Sequence, residues 1–308
     1  MNRTRLAALM AGSMLASGVL AVGVLAAAGV FGARRAGVPH AVTQAPSARA
    51  PTALAAPGTE RSAAPSALHP PLAAARRAAP QDIESLNSPY DGKLHFVRVM
   101  YTPARRGRGF GRFGGREPMW AHDYPRGERN FMKIIDEMTD IHPLVDGSNI
   151  LALDDPRLFQ YPIAYIVEVG SWQPTDSEVE GLSQYLRKGG FLIVDDFRDP
   201  WNLSWFMEQM GRVLPGIQFV ELDGTHEIFD SFFRVDPHQV IPPYGPQTPV
   251  WYGLFEDNDP TKRLMVIVNY DNDISEYWEF SDRGYYPIDL SNEAYKLGVN
   301  YLVYGLTH

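Results

Sequence analysis

Tyr161-Pro162-Ile163-Ala164-Tyr165-Ile166-Val167-Glu168-Val169-Gly170 is a nearly unbroken apolar run, and Phe191-Leu192-Ile193-Val194-Asp195-Asp196 is a second. Strands covered on one face alternate apolar and polar residues, whereas continuous runs belong to strands covered on both. Between the two runs lies Pro174-Thr175-Asp176-Ser177-Glu178, followed by Val179, Leu182 and Leu186 and then by Gly189-Gly190. Thr175 with Glu178 three residues on predicts a capping box at a helix start. The three apolar residues give that helix one buried stripe, and the glycine pair ends it. The stretch reads as strand, helix, strand, a crossover that is right-handed when the two strands are parallel.

Outward from this unit the same patterns repeat. Residues 94–101 read as a strand, 129–141 as a helix, and 142–145 as a short strand or extended segment. Residues 201–214 read as a helix stopped by Pro215-Gly216, 217–222 and 264–270 as strands, and 292–304 as a closing helix. Alternation of buried strands with amphipathic helices predicts an α/β fold, a flavodoxin-like doubly wound, mostly parallel sheet over residues 86–308.

The first 85 residues have a different character. Arg3 and Arg5 precede an apolar run from Leu6 to Phe31, 26 residues long, with Ser13 and Ser17 as its only polar side chains. That length spans a bilayer as a helix. Ala26-Ala27-Ala28 also offers a small-residue cleavage site. Residues 1–32 are therefore expected to be a transmembrane anchor or a signal peptide. Residues 33–85 are rich in Ala, Pro, Ser and Arg, without apolar periodicity, and predict a disordered tether. A basic N-terminus that stays inside predicts a body outside the cytoplasm, either anchored to the inner membrane and facing the periplasm or secreted into it.

Charge and composition narrow the function classes. Residues 1–80 hold eight Arg, no Lys and one acid, Glu60, which leaves 20 basic and 35 acidic residues for the rest. A body this acidic repels nucleic acid. Cysteine is absent, so disulfides, thiolate metal sites and thiol nucleophiles are excluded.

Four blocks stand out: Trp120-Ala121-His122-Asp123-Tyr124-Pro125 with Glu128 and Phe131, Gly189–Phe197, His226-Glu227-Ile228-Phe229, and Ala294-Tyr295-Lys296-Leu297-Gly298-Val299-Asn300. In this order they resemble the bacterial domain of unknown function 4159, over residues 92–307. The resemblance implies an architecture like that of class I glutamine amidotransferases and implies no activity. Those enzymes use a cysteine, which this chain lacks. Ser171 does not replace it, because a nucleophile elbow needs small residues two positions to either side and Val169 and Gln173 stand there.

In open α/β sheets ligands bind beyond the carboxyl ends of the strands. Glu168, Asp195 and Asp196 occupy two such ends, and Arg198 follows; these four are the expected ligand-binding residues. Asp196 is expected to face the crevice and Asp195 a neighbouring loop. Asp195 and Asp196 with His226 form a candidate set for a divalent cation; the opposing reading has the aspartates as caps. No other cofactor is expected. His122, Asp123 and His226 are the candidate acid/base groups, with a loop-fixing role for the first two as the alternative. Residues 105–116, five Arg among glycines, read as a loop. Asp271-Asn272-Asp273 lacks the glycine and glutamate of a calcium loop and reads as an Asx-turn.

Three functional readings follow from these residues. The leading one is a non-catalytic amidotransferase-like module that binds an envelope partner protein or a small ligand at the strand-end crevice and reaches the membrane through its N-terminal segment. The second is a metal-assisted hydrolase of an envelope substrate built on Asp195, Asp196 and His226. The third is glycan binding through Trp172, Trp201 and Trp251.

Overall fold

A computed structural model of the protein describes residues 83–103 and 118–308. The expected anchor, nearly all of the expected tether and the Arg/Gly segment lie outside the described residues. Among the described residues no helix is long and apolar enough to cross a membrane.

The elements in chain order are β1 (Val97–Val99), α1 (Arg126–Met138), β2 (Asn149–Leu151), β3 (Ile163–Val167), α2 (Asp176–Arg187), β4 (Phe191–Phe197), α3 (Pro200–Val213), β5 (Val220–Glu221), β6 (Val250–Phe255), β7 (Leu264–Tyr270), α4 (Ile274–Phe280) and α5 (Ile288–Thr307). The strands form one mixed seven-stranded sheet in the order β2-β1-β3-β4-β7-β6-β5. β2, β1, β3, β4 and β7 are mutually parallel, and β6 runs antiparallel to both of its neighbours. The fold is α/β.

The continuous apolar runs are explained by this burial. Successive side chains of a strand point to opposite faces. In β3, Ala164 and Ile166 join one core cluster with Leu182 and Leu186 of α2 and Phe206 and Met210 of α3. Ile163, Tyr165 and Val167 join the other, with Phe131 and Ile135 of α1, Trp278 of α4 and Leu297 and Tyr301 of α5. Both faces of the strand are thus buried against side chains of the flanking helices. The predicted capping box is present: Thr175 Oγ1 accepts from Glu178 N at 3.2 Å, and Glu178 Oε2 accepts from Thr175 N at 2.8 Å.

One expected position is adjusted, and one strand has no counterpart in the sequence reading. No strand forms at 142–145; the strand is β2, at Asn149–Leu151. Pro143 has no N–H to give a ladder. β6 carries no legible strand pattern because Gly253 interrupts it, yet that glycine is required: a Cβ there would sit 2.7 Å from the Phe255 ring and 2.8 Å from Leu264.

In strand order, β1, β3, β4 and β7 are consecutive neighbours. The connections leaving their carboxyl ends therefore open onto one crevice. The chain steps from β1 outward to β2 and then back across to β3, so this crevice adjoins the point where the winding reverses.

Candidate metal centre

Each of the four central strands, or the connection that leaves it, delivers at least one acidic or imidazole group to the crevice. The β1–α1 connection supplies His122 and Asp123, β3 ends at Glu168, β4 supplies Asp196, and β7 runs into Asp273. His122, Asp123, Asp196 and Asp273 each offer a ligand atom, and these atoms all lie within 4.8 Å of one another.

The β4 end is shaped by a bulge. The β4–β7 pairing is regular through Val194 and shifts register before Phe197. Val194 and Phe197 both face the α2/α3 cluster, which strict alternation over three positions forbids. The extra residue is absorbed at Asp196, whose φ is 50°. A bulge of this kind re-aims a side chain. Asp195 keeps the strand alternation and points to the α1/α4/α5 face, while Asp196 turns up into the crevice.

Asp196 Oδ2 lies 2.6 Å from His122 Nδ1, and Asp196 Oδ1 accepts from the Tyr244 hydroxyl at 2.5 Å. Glu168 Oε1 is 3.8 Å from His122 Nδ1, and Asp123 Oδ1 is 3.9 Å from His122 Nε2. Asp123 Oδ2 accepts from Ser275 Oγ at 2.6 Å. Asp273 caps α4: its Oδ1 accepts from Glu276 N at 2.9 Å and lies 3.1 Å from Ser275 Oγ. The remaining oxygens, Asp123 Oδ1 and Asp273 Oδ2, are buried and have no hydrogen-bond partner among the described residues. Both amide atoms of Asn272, next to Asp273, are in the same condition. Buried polar atoms without partners are uncommon, and each calls for an explanation such as a bound ion.

Backbone strain collects at the same place. Asp123, Glu168 and Asp196 all have left-handed φ, at 62°, 55° and 50°. Such conformations cost about 1–3 kcal/mol each and persist only where the surroundings impose them.

The electrostatics describe a site short of positive charge. The charge of Asp123, against desolvation and aided by Asp196, raises His122 well above the usual imidazole range. Burial and then the charge of Asp196 push Glu168 up to about 8. Burial, Asp196 and Asp123 raise Asp273 well above the carboxylate range. Burial pushes Asp196 up too, but the charge and hydrogen bond of His122 with the Tyr244 hydroxyl outweigh it and hold Asp196 low. Nearby on α4, burial and then Asp123 push Glu276 to about 7 and Glu279 to about 8. Several carboxyls retain protons near neutrality because protons are the counter-charge at hand. A divalent cation would take their place.

The expected metal set of Asp195, Asp196 and His226 does not converge. Asp195 is fully buried and accepts from Tyr165 Oη at 2.7 Å, Ile274 N at 3.0 Å, Asn269 Nδ2 at 3.1 Å and Ser275 N at 3.3 Å. Its lone pairs are spent on anchoring the start of α4, although burial pushes it up to about 7. His226 Nδ1 accepts from Ile228 N at 3.1 Å, and its ring faces Phe255 and Tyr304. Tyr304 in turn contacts Phe191, the first residue of β4, and its hydroxyl accepts from Leu264 N, the first of β7. The segment after β5 folds back along the sheet and leaves His226 at the amino ends of the strands, far from the crevice. His122 takes the place expected for His226.

Of the other expected residues, Glu168 and Asp196 are in the crevice. Arg198 lies over the Tyr244 ring at 4.0 Å from its centroid. Its guanidinium makes no hydrogen bond or ion pair among the described residues. Ser171 Oγ donates to Glu168 O at 3.1 Å and is a turn residue. The expected glycan platform is absent: Trp172 and Trp251 are buried, and of the three only Trp201 is exposed. Asp273 and Tyr244 were not legible as site residues. The first looks like a turn aspartate, which it also is. The second sits in a proline-rich loop with no periodicity to place it.

The fold and the site define an α/β domain with a carboxylate- and imidazole-lined crevice at its strand ends. The model of the family described as domain of unknown function DUF4159 matches residues 95–306, and the chain belongs to that family. No curated protein matches it.

Proposed function

We propose that the crevice binds a divalent cation through His122, Asp123, Asp196 and Asp273, and that the domain is a metal-assisted hydrolase of an envelope substrate. The observation that carries this reading is the convergence of four ligand atoms together with a buried carboxylate oxygen, Asp273 Oδ2, that has no partner among the described residues. One imidazole with three carboxylates suits Mn²⁺, Zn²⁺ or Fe²⁺. A cation held there would lower the pKa of a bound water and polarise a substrate oxygen. Glu168, partly exposed and beside His122, is placed to exchange a proton with that water. Arg198, stacked on Tyr244 and without a hydrogen-bonded or ion-pair partner among the described residues, would hold an anionic group of the substrate.

The strand order β2-β1-β3-β4 supports a flavodoxin-like, amidotransferase-like winding, in which this crevice is the expected binding position. The envelope setting rests on residues 1–32 as an anchor or signal and 33–85 as a tether. A non-catalytic module that binds an envelope partner is the competing reading, and exposed Tyr285 and Ile288 give it a small apolar surface.

The test is a thermal-shift titration of the full chain with Mn²⁺, Zn²⁺, Mg²⁺ and Ca²⁺, beside His122→Ala and Asp196→Asn. Binding at a hundredfold excess over Kd stabilises the folded state by about 2.7 kcal/mol. A metal-specific rise in melting temperature that both substitutions abolish is the expected result. No rise with any ion would leave the partner-binding module as the surviving reading.

A further inference from the structure

We infer that the crevice holds a second divalent cation, bound by Asp123, Glu276 and Glu279, with the Asp123 carboxylate bridging the two ions. The inference rests on the cation site proposed above and extends it.

Glu276 and Glu279 lie three residues apart on α4, so they share one face of that helix. With Asp123 they form a second group of ligand atoms, again all within 4.8 Å of one another. Asp123 is the one residue common to both groups. A carboxylate has two oxygens, so it can serve one cation with each, and bridged pairs of this kind sit about 3.5–4 Å apart.

The unpartnered oxygen supplies the independent observation. The Asp123 side chain has no solvent exposure, and its Oδ1 has no hydrogen-bond partner among the described residues. Its only ion-pair neighbour among the described residues is His122 at 3.9 Å. Neither Glu276 nor Glu279 is paired with a Lys or Arg among the described residues. Arg126, at the start of α1, is ion-paired with Asp282. Three converging carboxylates without a compensating base are costly to hold together. A second cation removes that cost and satisfies Asp123 Oδ1.

The surroundings orient the ligands as an outer shell does around a metal. Tyr286 Oη donates to Glu276 Oε1 at 2.8 Å, and Ser275 Oγ donates to Asp123 Oδ2 at 2.6 Å. The second set is all oxygen and the first has one imidazole, and Mn²⁺ suits both.

The experiment is calorimetric titration of the full chain with Mn²⁺, with electron paramagnetic resonance of the loaded protein, on the wild type, Glu279→Gln and Glu276→Gln. Glu279 is partly exposed, and glutamine at 276 still accepts from Tyr286, so the two variants guard against a loss of folding in one. The expected result is two Mn²⁺ per chain with an exchange-coupled spectrum. In each variant the second step should weaken at least tenfold and the spectrum revert to an uncoupled six-line signal. One Mn²⁺ in the wild type, unchanged in both variants, would overturn the second site and leave the first standing. Two ions without coupling would likewise overturn the shared Asp123. No binding at all would remove both sites.

Discussion

Asp195 and Asp196 are adjacent, chemically identical and almost equally buried, yet the structure assigns them different work. Asp195 accepts four hydrogen bonds, two from the first turn of α4 and one each from β3 and β7, and Asp196 faces His122 and Tyr244 in the crevice. At pH 8, where Asp195 is ionised, Asp195→Asn sets an amide N–H₂ against donors. It should cost about 3 kcal/mol, or roughly 6–12 °C in melting temperature. Asp196→Asn should instead abolish the metal-induced rise. The same logic applies to Arg98, fully buried and ion-paired with Glu128 at 2.5 Å. Arg98→Met strands a buried carboxylate and should lose about 3–5 kcal/mol, much of it recovered in the Arg98→Met/Glu128→Met double variant. Chemical denaturation of the three proteins checks this; equal instability of the double variant would contradict it. The roles of the aspartates were partly legible, since strand-end position and alternation point one of them each way. The Arg98–Glu128 pair was not, because an arginine in a strand reads as a surface residue until its partner on α1 is known.

At the scale of elements, the site depends on four strand ends being level and on two helices that begin beside them. The capping box of α2 and the buried strands β3, β4 and β7 follow local rules, and these were readable from spacing alone. The bulge in β4 was not, because it arises from pairing with β7 more than seventy residues later. Nor was the return of the chain after β5 that carries His226 away. These are long-range events, and no local pattern encodes them. Helix α2 supplies a test of packing independent of the site. A Cβ at Gly181 would lie 2.2 Å from Leu153 O and 2.9 Å from Asp154 Cα. Backbone cannot swing aside as a side chain can, so Gly181→Ala should displace the helix and cost about 1–3 kcal/mol. Metal affinity should be unchanged. A variant as stable as the wild type would show that α2 sits further from the β2–β3 connection than described.

For the molecule as a whole, the acidic crevice makes stability depend on pH. Glu168, Glu276 and Glu279 are held near 8, 7 and 8, chiefly by burial. Their unfolded values are near 4.3. The folded state therefore binds more protons between those limits, and stability falls as pH rises. In chelator, the melting temperature should be highest near pH 5 and decline through pH 7–8. With saturating Mn²⁺ the decline should flatten or reverse, because the cation binds the deprotonated ligands and binding strengthens with pH. Melting curves from pH 5 to 9, with and without metal, check both slopes; parallel curves would contradict the linkage.

The central claim is that His122, Asp123, Asp196 and Asp273 close on one cation. Anomalous diffraction from crystals grown with Mn²⁺, collected at the manganese edge, tests it most directly. A peak about 2.0–2.3 Å from a His122 nitrogen and from oxygens of Asp196 and Asp273 is the predicted result. An empty crevice at saturating Mn²⁺, with His122 still bonded to Asp196, would contradict the account.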